Sequence, residues 1–176
     1  MSTHTRQSVL AEAIENSRAL VSRFVVGFDD STHTKQTKDL PNHFAWCMGH
    51  LALTMHRVAG WIDGKPLPEG DFISDSARGD AQRFGTETIA FASKPTDDAS
   101  NYPTHARCIE IFSAAIDRLA GAVRHADDAA LDRMVKWGAG ESPVGLLVPR
   151  MLYHNGVHTG QIIDLRRALG MKPVLV

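Results

Sequence analysis

His154 and His158 stand four residues apart on the apolar stripe of Val144, Leu147, Met151, Ile162 and Leu165. At helical pitch, residues i and i+4 project from one face, so two imidazoles are presented toward the core. A buried polar group left unpaired costs about 1–3 kcal/mol, so both rings need partners. One divalent ion can take a lone pair from each ring. Alternatively, each ring is a core histidine bonded to a carbonyl or carboxylate, and the spacing of the pair leaves both readings open. A metal site needs a third ligand. His50 is the best placed, because it borders the stripe Phe44, Cys47, Leu51, Met55 and Val58, one turn from Trp46. His43 lies a heptad earlier at a helix start, His56 points to another side, and His105 opens the next helix. His4, His33 and His125 read as exposed.

The same residues exclude other metal chemistries. In 154–158 an asparagine, Asn155, occupies the place where a zinc protease carries its general-base glutamate. No Glu-x-x-His pair of the di-iron bundles occurs. Neutral imidazoles without an obligatory carboxylate favour zinc, nickel, copper, cobalt or iron over magnesium or calcium.

Four long helical patterns must position these groups. The first runs over 7–28 through Leu10, Ala13, Ile14, Leu20, Val21, Phe24 and Phe28. The second spans about 42–60, with Asn42 as cap and Gly60 as stop. The connection 61–102 is irregular, and a short helix is expected over 75–92, where Ala77, Ala81, Phe84, Ile89 and Phe91 could pack. Pro103 opens a third helix to about 125, and a short segment around Leu131 and Met134 closes at Trp137-Gly138. Ser142-Pro143 starts the last helix, which stops at Gly170. No useful run has strand periodicity. The expectation is an all-α chain of one domain, 1–176, forming a four-helix bundle with short additional helices.

Composition bounds the function. Of 176 residues, 43% are hydrophobic and 22% charged, an ordinary globular balance. A net charge of −1 lacks the positive field of a general nucleic-acid binder. Arg166, Arg167 and Lys172 read as a solvated helix end. No signal-peptide shape or membrane-length apolar run is seen, and Cys47 and Cys108 read as buried, unpaired thiols. A cytoplasmic location follows as an expectation.

The stretch Tyr153-His154-Asn155-Gly156-Val157-His158-Thr159-Gly160-Gln161-Ile162, continuing to Leu165-Arg166 and Leu169-Gly170, resembles the final helix of the DinB family, with its His-x3-His-x-Gly-Gln-Ile pattern. The stretch Asn42 to Ala52, with Trp46 before Gly49-His50-Leu51, resembles that family's second helix, and Asn101-Tyr102-Pro103 also fits. The resemblance implies a four-helix bundle, frequent homodimers, and a metal centre with His50, His154 and His158 as ligands. Zinc or nickel comes first among the ions, with iron, cobalt or copper as further options. It also implies a metal-dependent transferase or isomerase using a low-molecular-weight thiol, or a hydrolase, with a small-molecule substrate. A non-enzymatic metal- or ligand-binding stress protein is the alternative. Gln161, Trp46 and Tyr153 are candidates for the layer behind the ligands. Gly160, in mid-helix, suggests close helix approach, and Asp164 reads as solvated or paired with Arg166 or Arg167.

Overall fold

The computed structural model describes residues 4–174. Five helices dominate: α1 (Arg6–Phe24), α2 (Phe44–Asp63), α3 (His105–His125), a short α4 (Asp128–Asp132) and α5 (Val144–Ala168). The local signals for the helix starts are polar side chains that satisfy otherwise orphaned N–H groups. The Thr5 hydroxyl accepts the Ser8 N–H at 3.1 Å, and the Ser8 hydroxyl accepts the Thr5 N–H at 2.9 Å. The Thr104 hydroxyl caps α3 by accepting the Arg107 N–H.

The four long helices form the bundle read from the sequence. α2 packs on α3 and α5, and α1 packs on the same two. The core runs through Ile14, Val21, Leu51, Met55, Ile111, Ile116, Leu147 and Ile162, all buried. α2 is buried on nearly every face, since the segment between α2 and α3 covers the side that the other helices leave open. Phe84 and Ile89 of that segment pack so closely on Gly49 that a Cβ there would lie 2.7 Å from the Phe84 ring and 2.9 Å from Ile89.

Several local expectations are corrected. The helix expected over 75–92 is absent. That stretch is a series of turns plus a short parallel bridge between β1 (Phe72–Ile73) and β2 (Phe84–Gly85). Its N–H groups go elsewhere: Asp80 accepts from Gln82 and Arg83, and Phe84 donates to Asp71 O. Phe84 and Ile89 pack as expected, while Phe91 is 89% exposed. A hairpin also went unread. β3 (Met134–Trp137) and β4 (Gly140–Pro143) pair antiparallel across Gly138, whose φ is +60°.

Helix ends shift too. α1 stops at Phe24 and not at Phe28. α2 passes Gly60 to Asp63, and Gly64 at φ +70° closes it by donating to Gly60 O. His43, not Asn42, caps α2, its Nδ1 accepting the Trp46 N–H at 3.1 Å. Pro143, not Ser142, holds the cap position of α5, without a side-chain bond. Arg166 is not part of a solvated helix end. It is buried and donates to the carbonyls of Phe24, Val26 and Lys172, tying α5 to the end of α1. Arg167 does remain exposed, paired with Asp164. Among the described residues no helix is long and apolar enough to cross a membrane.

Candidate metal centre

α2 and α5 run antiparallel and bring His50, His154 and His158 together, one nitrogen from each lying within 4.8 Å of the others. The ring centroids are 4.7–5.1 Å apart. His50 and His158 are buried and His154 is half-buried, so the cluster reaches the surface on the His154 side.

What holds each ring decides which nitrogen faces the centre. His50 Nδ1 lies 2.8 Å from the Ile89 carbonyl, which can only accept, so Nδ1 carries the hydrogen. His158 Nδ1 lies 2.9 Å from Gln161 Oε1. The same oxygen receives the Asn42 amide at 3.0 Å and faces the Cys47 thiol at 3.6 Å, so it serves as an acceptor and His158 Nδ1 donates. His154 Nδ1 is 3.4 Å from the Thr54 hydroxyl. That hydroxyl gives its own hydrogen to the His50 or Leu51 carbonyl, so it accepts from His154. In this tautomer pattern all three Nδ1 atoms are donors and all three Nε2 atoms carry free lone pairs. The Nε2 atoms of His154 and His158 are 3.1 Å apart.

With a hydrogen on one of them, the contact is a neutral N–H···N bond; with both Nε2 atoms unprotonated, a cation between them relieves the repulsion of the two lone pairs. A proton is disfavoured. Burial, with help from the neighbouring rings and arginines, pushes His154 down to about 3 and His50 to about 4, and burial also lowers His158. A divalent ion fits instead, since tetrahedral bonds of about 2.0–2.1 Å set two nitrogens roughly 3.3 Å apart. The rings are neutral at pH 7, the form that ligates. Holding the far nitrogen of a ligating imidazole by a hydrogen bond is the usual means of fixing its orientation.

Of the candidate neighbours, Gln161 touches His158 directly. Trp46 stacks on His50 with centroids 4.6 Å apart and planes 13° apart, and its indole N–H donates to Ser93 Oγ. Tyr153 is 76% exposed on the outer side of α5 and makes no hydrogen bond to the three rings. The remaining histidines lie elsewhere. His43 spends its nitrogens on the Trp46 N–H and the Thr96 carbonyl, and His56 lies against Arg118. His33, expected to be exposed, is 2% exposed and sits between the Asp30 and Pro103 carbonyls. Gly160 makes no close helix contact, for a Cβ there would meet nothing within 4 Å; the tight approach is at Gly49.

Sequence reasoning missed Thr54, Ser93 and the Ile89 carbonyl. Thr54 had a readable signal, standing four residues from His50 on the same helix face. The Ile89 carbonyl had none.

Residues 13–162 match the model of the DinB superfamily, and the chain belongs to that superfamily. No curated protein matches it. Among solved structures it is similar to a conserved protein of a locus from Enterococcus faecalis, with a TM-score of 0.65 and 12% identity over 97% of this chain and 99% of that one. At that identity the likeness speaks for the fold alone.

Proposed function

We propose that the protein is a metal-dependent enzyme. In this reading His50, His154 and His158 hold one divalent transition-metal ion, zinc or nickel foremost, that activates water or a low-molecular-weight thiol. The reaction is then S-transfer, isomerisation or hydrolysis on a small molecule. The observation that carries the reading is the convergence of three Nε2 lone pairs while every Nδ1 is committed outward.

Bound there, such an ion supplies the Lewis acidity that draws a proton from water or a thiol near neutral pH. The protein's part is positional. Ile89, Thr54 and Gln161 fix three rings in one tautomer, and the Trp46 indole covers one face of His50. Among the described residues no fourth His, Cys, Asp or Glu joins the group, and His154 opens toward solvent, which favours an open catalytic site over a closed structural ion.

The test is metal content of tag-free, chelator-free protein, followed by turnover with thiol–electrophile pairs and simple esters. About one equivalent of metal is expected, with turnover falling at least about a hundredfold in His158→Ala. Protein that takes up no metal, or turnover untouched by the substitution, overturns the proposal.

A further inference from the structure

Two arginines stand on the faces of α2 and α5 that carry the histidine centre. Across the α2–α5 seam Asn42 meets Gln161, His50 meets His154 and His158, and Thr54 meets His154. Farther along the same faces, Arg57 follows Thr54 by three residues and Arg150 precedes His154 by four, spacings that keep each arginine on the side of its helix carrying the site.

An aromatic pair links the end of α2 beyond Arg57 to the hairpin ring beneath Arg150. Trp61, four residues beyond Arg57, meets Trp137 of the hairpin edge-on, with centroids 5.7 Å apart. The Arg150 guanidinium carbon lies 5.9 Å from the centroid of that same Trp137 ring. Both arginines are exposed. Among the described residues neither has a carboxylate within ion-pair distance, whereas Arg107, Arg118 and Arg124 are all paired.

We propose that Arg57 and Arg150 determine specificity by selecting a substrate or thiol that carries a carboxylate in addition to the group meeting the three histidines. This rests on the metal-centre reading above. A divalent ion on three neutral imidazoles keeps its full charge, and the two guanidiniums, neither of them ion-paired among the described residues, add to it. A planar guanidinium matches a carboxylate in a two-point hydrogen bond. The field of two exposed cations also draws anions over about 8–10 Å at ordinary salt.

The experiment uses the zinc-loaded protein and calorimetric titration with two thiols, mercaptosuccinate and the neutral 2-mercaptoethanol. Wild type binds mercaptosuccinate at least about tenfold tighter, and this preference shrinks as salt is raised. The double variant R57Q/R150Q loses the preference while keeping its zinc stoichiometry and helical circular dichroism, and R57K/R150K regains part of it. Equal binding of the two thiols to wild type, or a preference that survives in R57Q/R150Q, overturns the inference. If the protein takes up no zinc, the metal reading fails separately. Succinate is then titrated into the metal-free protein: weaker binding to R57Q/R150Q supports the arginine pair, and equal binding overturns it.

Discussion

His50 and His56 lie on the same helix, both nearly fully buried, and burial pushes both down to about 4, yet they do opposite things. At His50 a carbonyl that can only accept holds Nδ1, and the lone pair on Nε2 is left facing His154 and His158. At His56 the Arg118 guanidinium, 3.3 Å from Nδ1, consumes the lone pair as a donor. The hydrogen is then on Nε2, which stands 4.0 Å from an Asp71 oxygen and has no bond. Arg118 is itself locked to Asp63 and to the Lys65 and Pro66 carbonyls. Burial and basicity therefore do not separate a ligand from a structural histidine. In the proposed metal reading, the identity of the group holding the far nitrogen does.

The sharpest way to break this contrast is to delete one ring of each kind. His154→Ala should weaken zinc affinity at least about a hundredfold by competition with a chromophoric chelator, while His56→Ala should leave it within a factor of about three and lower the melting temperature instead. Equal losses of affinity would erase the distinction. Next in size is the oxygen behind His158. Gln161→Leu removes the acceptor of its Nδ1–H, and a roughly 10–100-fold loss of zinc affinity is expected.

Acid sharpens the other side of the comparison. His43 and His56 are both held near 4 by burial, against 6.5 when exposed. Between those values the unfolded chain binds protons that the folded chain does not, so stability is full above about pH 6.5 and falls as pH drops toward 4. Each group contributes a slope of up to about 1.4 kcal/mol per pH unit. Urea unfolding of metal-free protein at several pH values measures it, and His56→Gln should flatten the dependence. The smallest effect concerns two glycines beside the site. Gly160→Ala has open space and should stabilise α5 by up to about 1 kcal/mol, whereas Gly49→Ala collides with Phe84 and Ile89 and should cost about 1–3 kcal/mol in chemical denaturation.

The bundle and the pair His154 and His158 were legible because both are written in local periodicity. Leu51, Met55, His154 and His158 reveal their faces at spacings of three and four. Family likeness then singled out His50, which spacing alone had ranked only as the best third ligand. The segment between α2 and α3 was illegible for the converse reason. Phe84 and Ile89 have neighbours far away in the chain, and nearby backbone N–H groups, those of Arg83 and Asp75, are held by single side chains, Asp80 and Thr86, which leave no period. The hairpin escaped because its strands are four residues each and half-exposed, with little apolar alternation to read. His33 escaped because one of its two partners, the Pro103 carbonyl, is brought in by tertiary packing, and the other is a backbone oxygen of its own turn.

The bond from His50 to the Ile89 carbonyl joins one of the three proposed ligand rings to the least regular stretch of the chain. Under the proposed metal reading, any ordering of 61–102 that strengthens this bond raises ion affinity, and ion binding stabilises that ordering by the same factor, because linkage is reciprocal. The irregular segment and the metal centre are thus two ends of one thermodynamic cycle, and a substitution near Ile89, far from any ligand in sequence, acts as an effector of the site.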